Sequence, residues 1–183
     1  ANRGMAAWVQ RLLRERTIRH AVAFSSSMAQ HLMDVRGVRR VLDLVDVDSE
    51  KWRDYANART GPVAAFYRRE AGRLLAFERR AAAQFDATVL VSEEEAELFR
   101  RRAPEVAGRV SAVSNGVDAA HFDPAAGFAD PYDGRGARVM VFTGAMDYWP
   151  NAHAVAWFAA EVLPKVQAVI PDAAFCIVGR DPG

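Results

Sequence analysis

The chain has 183 residues, 51% hydrophobic and 26% charged, enough for one large domain or parts of two and too apolar for general disorder. Its 24 Lys and Arg against 23 Asp and Glu leave a formal charge of +1, which gives no general reason to expect nucleic acid as partner. A lone cysteine, Cys176, excludes an intrachain disulfide and reads as a buried core thiol inside an apolar run.

No apolar run approaches the roughly 20 residues that cross a bilayer, and the start does not resemble a signal peptide, so the expected location is cytoplasmic. Ala1 and Gly183 both read as cuts through a longer protein. Met5 to Glu15 predicts a helix. Ala21 to Phe24 predicts a strand, Ser25-Ser26-Ser27 a polar turn, and Met28, Leu32 and Met33 a short helix. Arg40 to Val45 is a second strand, ending at Asp46-Val47-Asp48-Ser49. Ser49 is expected to cap the helical segment that holds Trp52 and Tyr55.

Thr60-Gly61-Pro62 opens the longest helix. Val63, Phe66, Leu74, Phe77, Ala81 and Phe85 recur at helical spacing as one apolar face, with Arg69, Arg73, Glu78 and Arg80 on the others. Ala87 to Val91 is a strand, and Ser92 caps a helix whose first turn carries Glu93, Glu94 and Glu95, favourable at the positive helix end. Val110 to Val113 is a further strand. Gly, Pro and Asp then accumulate from Asn115 to Gly136, including Asp133-Gly134, as an interdomain linker. Arg138 to Phe142 is a strand ending at Thr143-Gly144, Asn151 to Leu163 a helix with Val155, Phe158 and Val162 inward, and Ala174 to Val178 a last strand ending at Gly179. Pro164 and Pro171 bracket the return to that strand.

Strands alternating with helices predict α/β architecture, a mostly parallel sheet with helices on both faces. Ligands in such sheets bind at the C-terminal strand ends. That rule selects Ser25 to Ser27, Asp46 to Ser49, Ser92, Asn115 to Asp118, Thr143 to Asn151 and Gly179 to Pro182. Asp46 and Asp48 are candidates for a general base or a metal, or equally for a capped strand-end turn. Gly144 would let a phosphate or ribose approach the backbone, or would serve a tight turn. A complete G-x-G-x-x-G, a phosphate-loop lysine and a G-x-S-x-G elbow are absent, and His20, His31, His121 and His153 are dispersed without zinc spacing.

Val113-Ser114-Asn115-Gly116-Val117-Asp118, followed by Phe122-Asp123-Pro124, resembles the interdomain segment of glycosyltransferase family 4, retaining enzymes of the GT-B fold. Phe85 to Ser92 is similar to the "aD-x-v-x-x-vS" strand of that family. Phe142 to Met146 and Ile177-Val178-Gly179 are similar to the first two strand ends of its nucleotide-sugar domain. Leu44 to Trp52 and Gly144 to Asn151, with Trp157-Phe158 and Val162-Leu163-Pro164, resemble a bacterial subgroup associated with exopolysaccharide and exosortase systems.

The resemblance implies Rossmann-like parallel sheets of a two-domain GT-B architecture, both domains incomplete. Residues 1–114 would belong to the acceptor-side domain, 115–136 to the linker and 137–183 to the nucleotide-sugar domain. It implies transfer of sugar from a nucleotide-diphosphate donor to a glycan or lipid-linked acceptor, with no cofactor and no metal in the site. Ser25, Ser26, Asp46, Asp48 and Ser49 would lie on the acceptor side; Gly144, Ala145, Asn151, Gly179 and Arg180 would face the donor. Val45-Asp46 stands where many relatives carry His-Asp, so no catalytic residue is assigned. The family's glycine-rich first loop and paired glutamates are missing, so this polypeptide alone is expected to be inactive. The alternatives are a nucleotide-sugar epimerase and a non-catalytic piece whose open sheet edges favour a homo-oligomer. Arg68, Arg69, Arg73, Arg79 and Arg80 form a basic face suited to peripheral contact at the inner membrane surface.

Overall fold

A computed structural model describes residues 2–132 and 138–180. The Asp133-Gly134 turn and the Asp181-Pro182 end of the last candidate loop lie outside the described residues. The chain forms two compact units, one up to Val117 and the other from Asp118.

In the first unit Asn2 caps helix α1 (Arg3–Glu15), its side chain accepting from the N–H groups of Gly4 and Met5 at 3.0 and 3.2 Å. Then follow β1 (His20–Phe24), α2 (Ser26–Ala29), β2 (Arg39–Val45), α3 (Asp48–Asn57) and α4 (Gly61–Gln84). The unit ends with β3 (Ala87–Leu90), α5 (Glu93–Arg102), a 3-10 helix (Pro104–Arg109) and β4 (Val110–Ala112). All four strands are parallel in the order β1-β2-β3-β4. As expected, Ser92 caps α5, its hydroxyl oxygen accepting from Glu95 N–H at 3.2 Å.

Side chains alternate across each strand. Ala23, Leu42, Leu44, Leu90 and Val110 are buried with Leu32, Ala81, Phe85, Ala96 and Phe99 in one core, against which Val9 and Leu13 of α1 also pack. The core lies on one face of the sheet, whereas helices were expected on both. The strand order never reverses, so right-handed crossovers deliver each connecting helix to the same side. The opposite face carries Val22 and Phe24, both exposed, with Val41 and Val89 half-buried.

Helix α4 also differs from expectation. Val63 and Phe66 are exposed, while Ala64, Ala71, Glu78, Ala81 and Ala82 are buried. Small alanines let α3 and α4 approach closely, and Glu78 continues the stripe two turns beyond Ala71. Arg40 ties the end of this layer together. Its guanidinium donates to the carbonyls of Leu32, Met33 and Gln84 at 2.9, 2.6 and 2.5 Å.

The second unit pairs β5 (Arg138–Thr143) with β6 (Ala173–Val178) in parallel, Val139 beside Ala174 and Thr143 beside Val178. Between them run α6 (Trp149–Trp157), a π-helical turn (Phe158–Val162) and α7 (Leu163–Gln167). Pro164 therefore does not end the helix. It has no N–H to donate, and the widened turn, with Leu163 N–H bonded to the Phe158 carbonyl, carries the chain past it. Val155 is buried, and the Phe158 ring lies 4.6 Å from that of Phe175. Cys176 is half-buried rather than fully enclosed.

Candidate functional site

The C-terminal ends of β1 and β2 both leave ordinary backbone geometry. Ser25, immediately after β1, has φ 74° and ψ 145°, a region used almost only by glycine. Val45, the last residue of β2, has φ 69°, and Asp46 N–H donates to the Leu44 carbonyl across it at 2.9 Å. That three-residue turn is the rare, strained γ form, more costly still for a β-branched residue. Both turns are held by further hydrogen bonds, to the neighbouring strand and within β2. Ser25 N–H donates to the Asp43 carbonyl at 2.7 Å, Val45 N–H donates to the Asp43 carboxylate at 3.0 Å, and the Val45 carbonyl accepts from Val91 at 2.9 Å.

These turns bring together residues 20 positions or more apart. Ser26 is buried and its hydroxyl donates to Asp48 Oδ2 at 3.4 Å, linking the two strand ends. Lys51 Nζ, one turn into α3, donates to Asp46 Oδ2 at 2.7 Å and Asp48 Oδ1 at 3.2 Å. Burial alone would lower the Lys51 pKa, but the hydrogen bonds and charges of Asp46 and Asp48 outweigh it and hold the ammonium above its ordinary value. About a third of each Asp side chain stays accessible, so the cluster presents carboxylate oxygens, an ammonium and serine hydroxyls to solvent. Ser25 Oγ lies 3.2 Å from Ser27 Oγ, on the exposed side of the same turn.

Ser49 behaves differently from both readings given to it. The residue at the helix start is Val47, so Ser49 is not the cap. It is fully buried, its hydroxyl donating to Glu78 Oε2 at 2.6 Å and its N–H to Glu78 Oε1 at 3.2 Å. Ser49 thus fixes the start of α3 from beneath and does not face a ligand. Glu78 was assigned to an outer face of α4 and is instead 0% exposed. Burial raises its carboxyl pKa to about 7, opposed by the Ser49 hydrogen bonds and assisted by the charges of Asp48 and Glu50. Sequence reasoning missed both Lys51 and Glu78. The repeat Ala64, Ala71, Glu78 was the signal for the second; nothing local announced the first.

In the second unit Gly144, Ala145, Gly179 and Arg180 fall in one pair of loops beyond β5 and β6, and Asn151 stands beside them in the first turn of α6. Gly144 N–H donates to the Val178 carbonyl and Met146 N–H to that of Arg180, each at 3.0 Å. Asn151 Nδ2 donates to the Ala145 carbonyl at 3.0 Å, and Arg180 Nη2 pairs with Asp147 Oδ2 at 2.6 Å. The space a side chain would need at Gly144 is filled by Asn151 and Phe142, not left open for a phosphate. At Gly179, with φ 153°, a Cβ would overlap the Gly144 carbonyl. Gly179 is therefore required by the chain's own packing, and a side chain at Gly144 would have to displace the Asn151 amide. Asn151 and Ala152 N–H groups at the start of α6 point to the Tyr148 carbonyl at 3.0 and 3.4 Å.

Among the described residues no group of three His, Cys, Asp or Glu gathers as a metal site, and no helix is long and apolar enough to cross a membrane. Searches against protein-family models and curated proteins returned no match for the chain.

Proposed function

We propose that the chain is the interdomain portion of a retaining glycosyltransferase of family 4, with its first unit on the acceptor side and its second on the nucleotide-sugar side. The observation that carries the reading is the cluster of Ser26, Asp46, Asp48 and Lys51 at two adjacent strained strand ends. Strain of about 1–3 kcal/mol per residue is maintained where the surroundings over-determine it, characteristically at functional sites. Paired carboxylates neutralised by an ammonium make a poor general base and a good array for polyhydroxylated ligands, since each oxygen still accepts hydrogen bonds from sugar hydroxyls.

In this reading Asp46 and Asp48 accept hydrogen bonds from acceptor hydroxyls, and Lys51, hydrogen-bonded to both, orients them. Ser25 and Ser27 add hydroxyls on the exposed rim. The paired loops at Gly144 and Gly179 form the floor of the nucleotide-sugar side, with Arg180 and Asp147 at its edge.

Isothermal titration of UDP-, GDP- and ADP-sugars and of oligosaccharide acceptors, into the enzyme carrying both domains, tests the proposal. Donor binding is expected, with Asp48→Asn and Lys51→Ala weakening the acceptor and sparing the donor. Absence of heat or competition with every donor, in protein that remains folded, would reject it.

A further inference from the structure

Asp48 stands in the first turn of α3 between two enclosed neighbours, Val47 at 1% and Ser49 at 0% exposed. Both neighbours are gripped by carboxylates from other helices. Val47 N–H donates to Glu95 Oε2 of α5 at 2.7 Å, and Ser49 donates its N–H and its hydroxyl to Glu78 of α4. A carboxylate suits this place, because the start of a helix carries free N–H groups and a partial positive charge. Glu78 is fully enclosed, and its partners all belong to the first unit.

The charged groups around Glu78 come from few elements. On α3, Asp48 and Glu50 repel it. Lys51 is held by Asp46 and Asp48, while Arg53 and Arg102 are held by Glu50. Arg79, its neighbour on α4, pairs at the exposed surface with Glu105 of the 3-10 helix, and α2 carries no charged residue. Burial, assisted by the two repelling carboxylates and opposed by the Ser49 hydrogen bonds, raises the Glu78 carboxyl to about 7. Glu78 therefore changes charge near neutrality, next to the residues that hold Asp48.

We propose that Glu78 is a positioning residue for the Asp46, Asp48 and Lys51 cluster, its charge setting, through Ser49 and Asp48, how strongly the cluster accepts ligand hydroxyls. The ligand part rests on the acceptor reading above; the coupling between Glu78 and Asp48 does not. Ionised, Glu78 accepts both Ser49 donors, anchors the first turn of α3, and makes Asp48 a stronger acceptor by adding negative charge beside it. Protonated, it has an O–H of its own to place, and the Ser49 bonds weaken. Ligand hydroxyls that donate to Asp48 screen its charge from Glu78 and so favour the ionised form. By reciprocity, ionisation of Glu78 favours the ligand. Hydroxyl binding thus strengthens as pH rises through the Glu78 titration, while the fold loses stability over the same range.

Carboxyl carbon resonances of the full-length protein, labelled at Asp and Glu and followed without ligand from about pH 5 to about 9, test the coupling. Asp48 should respond at the midpoint of the Glu78 titration. Glu78→Gln should abolish that inflection, and Glu78→Asp should restore one. Ser49→Ala removes a hydrogen bond that lowers the Glu78 pKa, so it should move the midpoint to higher pH. With maltose and cellobiose as probes, affinity should rise about fivefold from about pH 6 to about 8 in wild type and stay level in Glu78→Gln. An Asp48 signal that is flat in folded wild type, or an inflection that persists in folded Glu78→Gln, overturns the proposal. If Glu78→Gln fails to fold, an unmoved midpoint in Ser49→Ala overturns it. Sugar affinity that changes equally with pH in wild type and Glu78→Gln overturns it too and leaves the acceptor reading intact. The Asp48 response with no sugar bound supports the coupling and rejects the acceptor reading instead.

Discussion

Replacing Glu78 by glutamine removes one proton-binding group from the contact between α3 and α4 and leaves its volume nearly unchanged. The wild-type carboxyl titrates at about 7 in the fold against an ordinary 4.5, because it is buried beside Asp48 and Glu50, which outweighs the hydrogen bonds Ser49 donates to it. Between those values the unfolded chain has released a proton that the folded chain keeps, so stability falls as pH rises. The contribution is fully present below about pH 4.5 and is lost once pH passes about 7. Over the window, at about 1.4 kcal/mol per pH unit, the loss reaches about 3 kcal/mol. Glutamine avoids that loss but turns its amide NH₂ toward one of the two Ser49 donors, a constant cost of about 1 kcal/mol. Glu78→Gln should therefore be about 1 kcal/mol less stable than wild type near pH 4.5 and about 2 kcal/mol more stable above pH 7.5 or so. Urea unfolding of both proteins across this range, followed at the α4 amides by hydrogen exchange, reads the difference and cancels groups common to both. A difference that stays flat with pH would refute the reasoning.

Three further outcomes follow from the packing. Arg40→Met removes the guanidinium donor from the carbonyls of Met33 and Gln84, while that of Leu32 still accepts from Val35 N–H at 3.1 Å, and should cost about 2 kcal/mol in chemical denaturation. Ser92→Ala removes the cap on Glu95 N–H and should cost about 1 kcal/mol, restored by Ser92→Asp. Gly179→Ala forces the β6 end away from the Gly144 carbonyl. It should raise hydrogen exchange at Gly144 and Met146 while leaving the first unit's amides unaltered.

Much of the architecture was legible because its causes are local. The strands among the described residues, the cap at Ser92 and the long helix after Thr60 rest on alternation, helical spacing and capping, all decided within a turn or two of chain. Where an expectation failed, a distant partner had overruled a local preference. Val63 and Phe66 are more apolar than Ala64 and Ala71, yet the alanines face inward because close approach of α3 requires small side chains. Pro164 is a helix breaker by local rules, and a widened turn lets the helix continue through it.

The candidate site divides in the same way. Strand ends selected Ser26, Asp46 and Asp48, because turns after parallel strands are where polar residues can be both exposed and positioned. Lys51 as their bridge, Glu78 as the buried acceptor for Ser49, and Asn151 filling the space at Gly144 had no local signature. The amino-acid sequence by itself determined where the described strands and the longer helices form, and that the strands run parallel. Only the tertiary structure decided which faces meet. Ser49 and Glu78 lie 29 residues apart, and a preference for burying a carboxylate there exists only once both helices have docked and excluded water from between them.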